Sequence, residues 1–265
     1  MNLSRLRHAV ATSLLVLACA VALPARASTD YTDIWYNPAE SGWGVNFAQN
    51  DRFIFATFFI YGPNGAPVWY TAQLSRTTSD VYTGPVYVTS GTWFGAGTFP
   101  PVPPSDVVPV GDATFTASSD VRGTLRYRID TVTVTKTIER QALVPMSVDE
   151  IYIGGYVAEY SGCTGRTKQI LPVQVDITQS GTPGTVRIDF LTTTNGALFC
   201  RMTGTGTQYG KVIRIPAATY TCLGGLSATA EVSSLRPLDD AIELHWRADL
   251  GNGCIERGRV AAVKQ

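Results

Sequence analysis

The feature that most constrains this chain is a period of two. From residue 35 to residue 70 it reads W-Y-N-P-A-E-S-G-W-G-V-N-F-A-Q-N-D-R-F-I-F-A-T-F-F-I-Y-G-P-N-G-A-P-V-W-Y, three aromatic-rich β patterns separated by two turn signals. Trp43, Val45 and Phe47 alternate with Gly44, Asn46 and Ala48, and Leu125, Tyr127 and Ile129 alternate with Arg126 and Arg128. Further on, Val173, Val175 and Ile177 alternate with Gln174 and Asp176, and Val186, Ile188 and Phe190 with Arg187 and Asp189. Alternation of this kind marks strands with one buried and one wet face. Residues 52 to 61 differ: Phe53, Phe55 and Phe59 share one face while Ile54, Phe58 and Ile60 share the other, so this strand is expected to be covered on both sides.

No segment beyond the first 27 residues shows a helical period, so the fold class is all-β. Pro63-Asn64-Gly65 and Asn195-Gly196 supply the positive φ angles of tight hairpins. Strands are expected near 32–37, 42–49, 52–61, 67–75, 81–89, 112–118, 123–130 and 132–140, an antiparallel meander of eight. Closing it into a barrel would remove exposed edges. Phe99-Pro100-Pro101-Val102-Pro103-Pro104 cannot pair as a central strand and reads as a stiff loop.

The first 27 residues have the pattern of an export signal. Arg5 and Arg7 precede the uncharged run Ala9 to Ala22, and Ala25-Arg26-Ala27 supplies a small-x-small cleavage site. The run falls short of the about 20 residues a spanning helix needs. The protein is therefore expected to be secreted or periplasmic, with lipidation at Cys19 as the alternative. Cleavage would lower the basic residues from 21 to 18 against 21 acids, a formal charge of −3, and no basic patch points to nucleic acid. Cys163, Cys200, Cys222 and Cys254 would remain, an even set that reads as two disulfides in an exported chain. Cys163 with Cys254 and Cys200 with Cys222 is the expected pairing, because the first and last strands of a closed meander are neighbours.

The chain divides into the leader (1–27), an aromatic-rich β domain (28–145) and a disulfide-containing β domain (146–265). The two domains echo each other. Leu125 to Asp130 matches Leu244 to Asp249 as L-x-(Y/W)-R-x-D at an offset of 119, and Ile138-Glu139-Arg140 matches Ile255-Glu256-Arg257 at an offset of 117. Ala39-Glu40-Ser41-Gly42 is loosely repeated by Ala158-Glu159-Tyr160-Ser161-Gly162. A duplicated module of roughly 118 residues is the reading, far longer than a solenoid repeat.

Few chemistries fit. Once His8 leaves with the leader, the single histidine is His245, on the polar face of a strand whose buried face is Ile242, Leu244 and Trp246, so a Ser-His-Asp machine has no base. No zinc or calcium pattern is present, and neither metal nor cofactor is expected. Aromatic platforms are the better reading. Trp35, Tyr36, Trp43, Trp69, Tyr70 and Trp93 can stack a sugar or enclose a heterocycle, with Asn37, Glu40 and Ser41 giving hydrogen bonds. A small molecule or glycan is thus the expected partner. One competitor is a carboxylate-dependent hydrolase using Glu40, since glycoside hydrolysis requires only two acids across a cleft. The other is a structural or adhesive envelope protein without a pocket.

Two resemblances bear on this. N-P-A-E-S-G-W-G, then F-A-T-F-F-I-Y-G-P-N-G-A-P-V-W-Y, ending in T-K-T-I-E-R-Q, resembles an uncharacterised β domain of secreted bacterial proteins over residues 31 to 141. It implies export and an all-β fold, and no activity. Trp35-Tyr36-Asn37 followed by Ser41 also resembles the opening strand of avidin-like barrels, which implies a barrel with Asn37 and Ser41 at a pocket; Pro38 and Glu40 depart from that family's loop.

Overall fold

The computed structural model describes residues 29–181 and 183–265; the leader, with Arg5, Arg7, Cys19 and Ala25 to Ala27, lies outside the described residues. The described chain forms two eight-stranded closed antiparallel barrels in tandem. The first contains β1 (Asp33–Asn37), β2 (Glu40–Asn50), β3 (Phe53–Tyr61), β4 (Pro67–Thr78), β5 (Val81–Thr89), β6 (Val107–Ala117), β7 (Arg122–Ile129) and β8 (Val132–Arg140). The second contains β9 (Glu150–Ser161), β10 (Lys168–Gly181), β11 (Gly184–Thr192), β12 (Leu198–Tyr209), β13 (Val212–Cys222), β14 (Leu226–Leu238), β15 (Ala241–Asp249) and β16 (Ile255–Lys264). Each strand pairs with its neighbours in sequence, and the last returns to the first. The strand between 107 and 117 starts earlier than its alternation indicates, because a register shift opposite Val86 and Tyr87 admits Pro109 to the ladder.

Closure differs between the barrels. β16 and β9 run together from Ile255↔Ser161 to Lys264↔Tyr152, whereas β1 meets β8 only at Trp35↔Arg140 and Tyr36↔Glu139. Arg140 reinforces this thin seam. Its guanidinium points into the barrel base at 3% exposure and donates to the Thr32 carbonyl at 3.1 Å, the Asp120 carbonyl at 2.7 Å, Asp33 Oδ2 at 3.2 Å and the Asp30 carbonyl. It also stacks 5.0 Å from the centre of a Trp35 ring.

Alternation fills both interiors, as an eight-stranded barrel is just wide enough for side chains to meet across it. Trp35, Phe47, Phe58 and Phe115 are fully buried in the first barrel; Tyr156, Phe190 and Tyr220 are buried in the second. Each such side chain contributes roughly 1.5–3 kcal/mol through burial. Phe115 holds the first cluster together, edge-on to Trp35 at 5.2 Å and to Phe47 at 4.9 Å between ring centroids.

The expectation that both faces of β3 are covered is wrong. Ile54 and Phe58 are buried, but Phe53, Phe55 and Phe59 are about two-fifths exposed on the outer wall. The barrel is single-layered, and the second barrel meets its end rather than its side. Those contacts run from Arg122 Nη2 to the Tyr209 hydroxyl at 3.0 Å, and from Gln208 to the Val144 carbonyl and the Met146 amide, at 2.8 and 3.0 Å. Both Arg122 and Tyr209 adjoin the turns that close even-numbered hairpins of the two meanders, so the barrels stand base to base. Their odd-numbered hairpins point away from the junction.

The L-x-(Y/W)-R-x-D echo falls on equivalent strands. β7 and β15 are each the penultimate strand, with Tyr127 and Trp246 inward at 7% and 3% exposure and Arg128 and Arg247 outward. The I-E-R echo does not hold. Ile138 and Arg140 point inward at the end of β8, whereas in β16 it is Glu256, at the strand's start, that points inward. The nearly constant offsets of 119 and 117 conceal opposite phase. Cys163 is bonded to Cys254 beside the β9–β16 seam, and Cys200 to Cys222 across directly paired positions of β12 and β13.

Candidate ligand cleft at the mouth of the first barrel

Where the odd hairpins of the first barrel gather, the interior opens into a cleft of about 590 Å³. Its polar centre is Glu40, at the start of β2. The chain reverses at Pro38-Ala39, where Asn37 Oδ1 accepts a hydrogen bond from the Ala39 amide at 3.0 Å. Gly42 then takes φ +98°, a conformation that costs glycine little, and the β1–β2 register shifts between Trp35 and Asn37. This irregularity breaks the period of two. Glu40 and Trp43, three residues apart, therefore both reach the cleft.

The Glu40 carboxylate is fixed from three sides. Oε1 accepts from Asn37 Nδ2 at 3.2 Å and Lys136 Nζ at 2.9 Å; Oε2 accepts from Trp43 Nε1 at 3.0 Å and lies 2.7 Å from the same ammonium. Lys136 comes from β8, which the closing seam carries to within one strand of β2. Its hydrogen bond holds the Glu40 carboxyl below the usual range, with the Trp43 N–H and the lysine charge adding to the effect and partial desolvation opposing it. The walls are apolar: Trp43, Ile60, Tyr70, Tyr127 and Val134 line the space. Burial pushes the Tyr127 hydroxyl up, and the negative charge of Glu40 pushes it further. Asp130, in the β7–β8 turn, lines the same cleft.

The structure divides the sequence candidates. Glu40, Trp43 and Tyr70 line the cleft, and Asn37 holds Glu40 from its edge. Trp35 does not contribute: it is fully buried deeper in the barrel, its indole N–H donating to the Tyr31 carbonyl. Tyr36 and Trp69 are out of phase with inward neighbours, and Trp69 is 58% exposed on the outer wall. Ser41 is exposed and outside the lining, and Trp93 lies 68% exposed in the connection after β5. Lys136 and Tyr127 were missed. A signal for Lys136 exists in the sequence: it alternates in phase with Val134 and Ile138, a charged residue on an otherwise inward-facing series. His245 stands on the outer wall of the second barrel, 3.2 Å from Glu243.

No family model and no curated protein matches the chain.

Proposed function

We propose that the protein is an exported, non-enzymatic binding module whose first barrel takes a small molecule or glycan at its mouth. One observation carries the reading: a carboxylate held by Asn37, Trp43 and Lys136 sits in a cleft otherwise walled by aromatic and aliphatic side chains. Such an arrangement offers both acceptors and an ammonium donor to hydroxyls, beside flat faces for stacking. Export to the cell exterior or periplasm accords with two disulfides and with the sequence pattern of the leader. No helix among the described residues is long and apolar enough to cross a membrane. A screen of glycans and small heterocycles by tryptophan emission tests the proposal. A saturable shift abolished by Trp43→Ala is expected; an identical response in Trp43→Ala would remove the mouth as the site.

A hydrolase using Glu40 has one observation in its favour, the presence of Asp130 on the same cleft. Against it stands the ion pair with Lys136, which lowers the Glu40 pKa where a general acid requires it raised. Turnover lost in Glu40→Gln would favour the enzyme. The adhesive alternative draws on the outer aromatic row of Phe55, Phe59 and Trp69, and concentration-dependent self-association weakened by Phe55→Ser would support it.

A further inference from the structure

The second barrel opens at the corresponding end into a half-open cleft of about 820 Å³, which the sequence reading did not anticipate. Glu256, inward on β16 and 2% exposed, lies at its floor. Tyr156 from β9, Tyr220 from β13 and Trp246 from β15 all donate to its Oε1, at 3.2, 3.0 and 2.9 Å. The indole reaches Glu256 because its cross-strand partner is Gly258; a Cβ there would lie 1.9 Å from the ring. Burial pushes the Tyr156 and Tyr220 hydroxyls well up, with the Glu256 charge adding to the effect, so both remain neutral donors.

The two mouths share a design and differ in charge. In each, an inward carboxylate receives a tryptophan N–H, Trp43 on Glu40 and Trp246 on Glu256. Glu40 also has the ammonium of Lys136, whereas among the described residues no lysine, arginine or histidine pairs with Glu256. Neutral donors disperse a buried negative charge without cancelling it, and an uncompensated buried anion is costly. The rings of Tyr156, Phe199 and Tyr220 line the cleft beside this carboxylate, and a cation is favoured where it meets the face of an aromatic ring. Of the basic residues lining the cleft, Lys168 is engaged by Glu159 at 3.3 Å, and Arg166 is exposed in the β9–β10 connection.

We infer that the mouth of the second barrel is a binding site for an organic cation, an ammonium or guanidinium carried on an apolar body. The cation occupies at Glu256 the position that Lys136 holds at Glu40, and the apolar body packs against Tyr156 and Phe199. This rests on the second barrel alone and stands or falls independently of the first.

The test compares phenethylammonium, 2-phenylethanol and phenylacetate, matched in shape and differing in charge, against the full chain. Calorimetry gives affinity, and the NMR signal of the Trp246 indole N–H reports location. Phenethylammonium is expected to bind at least about tenfold more tightly than the alcohol, with phenylacetate weakest, and to move the Trp246 signal saturably. Glu256→Gln should abolish the preference for the cation; should that variant fail to fold, Phe199→Ala should weaken phenethylammonium several-fold. Equal binding of the alcohol, preference for phenylacetate, no saturable binding of phenethylammonium to millimolar concentration, or binding that leaves Trp246 unmoved would each overturn the inference.

Discussion

Replacing Arg140 by alanine should unfold the first barrel far more readily than any surface change. The β1–β8 seam has only two register pairs, and the Arg140 side chain ties it to Asp30, Thr32 and Asp33 on one flank and to Asp120 in the β6–β7 connection on the other. With side-chain exposures of 2% for Arg140 and 9% for Asp33, solvent screens this pair little. Removing one partner of a buried pair costs roughly 3–5 kcal/mol, because the other charge is left uncompensated. In a barrel of this size that loss corresponds to a fall of about 10 °C or more in Tm. Arg140→Lys should recover part of the loss, since it keeps the charge without the planar fork. Denaturant titration followed by tryptophan emission is the suitable assay, because four of the five tryptophans, all but Trp246, belong to the first barrel. A loss below about 1 kcal/mol would show that the seam holds without its clamp, in the range of an ordinary surface change.

The second barrel should respond to reduction and the first should not. On a chain-entropy account, opening Cys200–Cys222, with a separation of 22, costs about 3 kcal/mol, and opening Cys163–Cys254, with a separation of 91, costs between about 4 and 5 kcal/mol. Unfolding of Cys→Ser pairs would rank them. Gly258→Ala should destabilise the second barrel by about 1–3 kcal/mol or more and alter Trp246 emission, since the buried indole occupies the space of the new methyl. In the first barrel, the Glu40 carboxyl is held below its ordinary value, so its contacts are complete above the unfolded-state pKa and are lost as pH falls through the lower folded one. Trp43 emission should therefore stay constant from neutral pH down through the ordinary carboxylate range and change only below it, a step that Glu40→Gln abolishes.

The meander was readable because each barrel strand buries one face, and the period of two resumes on either side of a local irregularity. The turns at Gly65 and Gly196 were equally legible, being positions with positive φ. Reading the cleft was harder for two physical reasons. Adjacent residues of a strand face opposite sides, so Trp69 and Tyr70 could not both line one cleft, and aromatic clustering alone does not apply that exclusion. Lys136 joins Glu40 across 96 residues of sequence through barrel closure, which no local pattern encodes. Gly42 is the converse case, where a local break in phase brings together residues that strict alternation would separate. Lys136, Arg140 and Glu256 share a further signature, a charged side chain in the inward phase of a closing strand. Each proves to be the centre or partner of a buried or half-buried polar network.

The central claim, that the mouth of the first barrel is a ligand site, is tested most directly by mapping NMR shifts while mono- and disaccharides and small heterocycles are titrated in. A ligand should saturably move the Trp43 indole N–H together with the amides of Glu40, Tyr70 and Lys136, leaving the outer Trp69 unmoved. Shifts confined to the outer wall around Phe55 and Trp69, or no movement at the mouth with any member of the set, would contradict it.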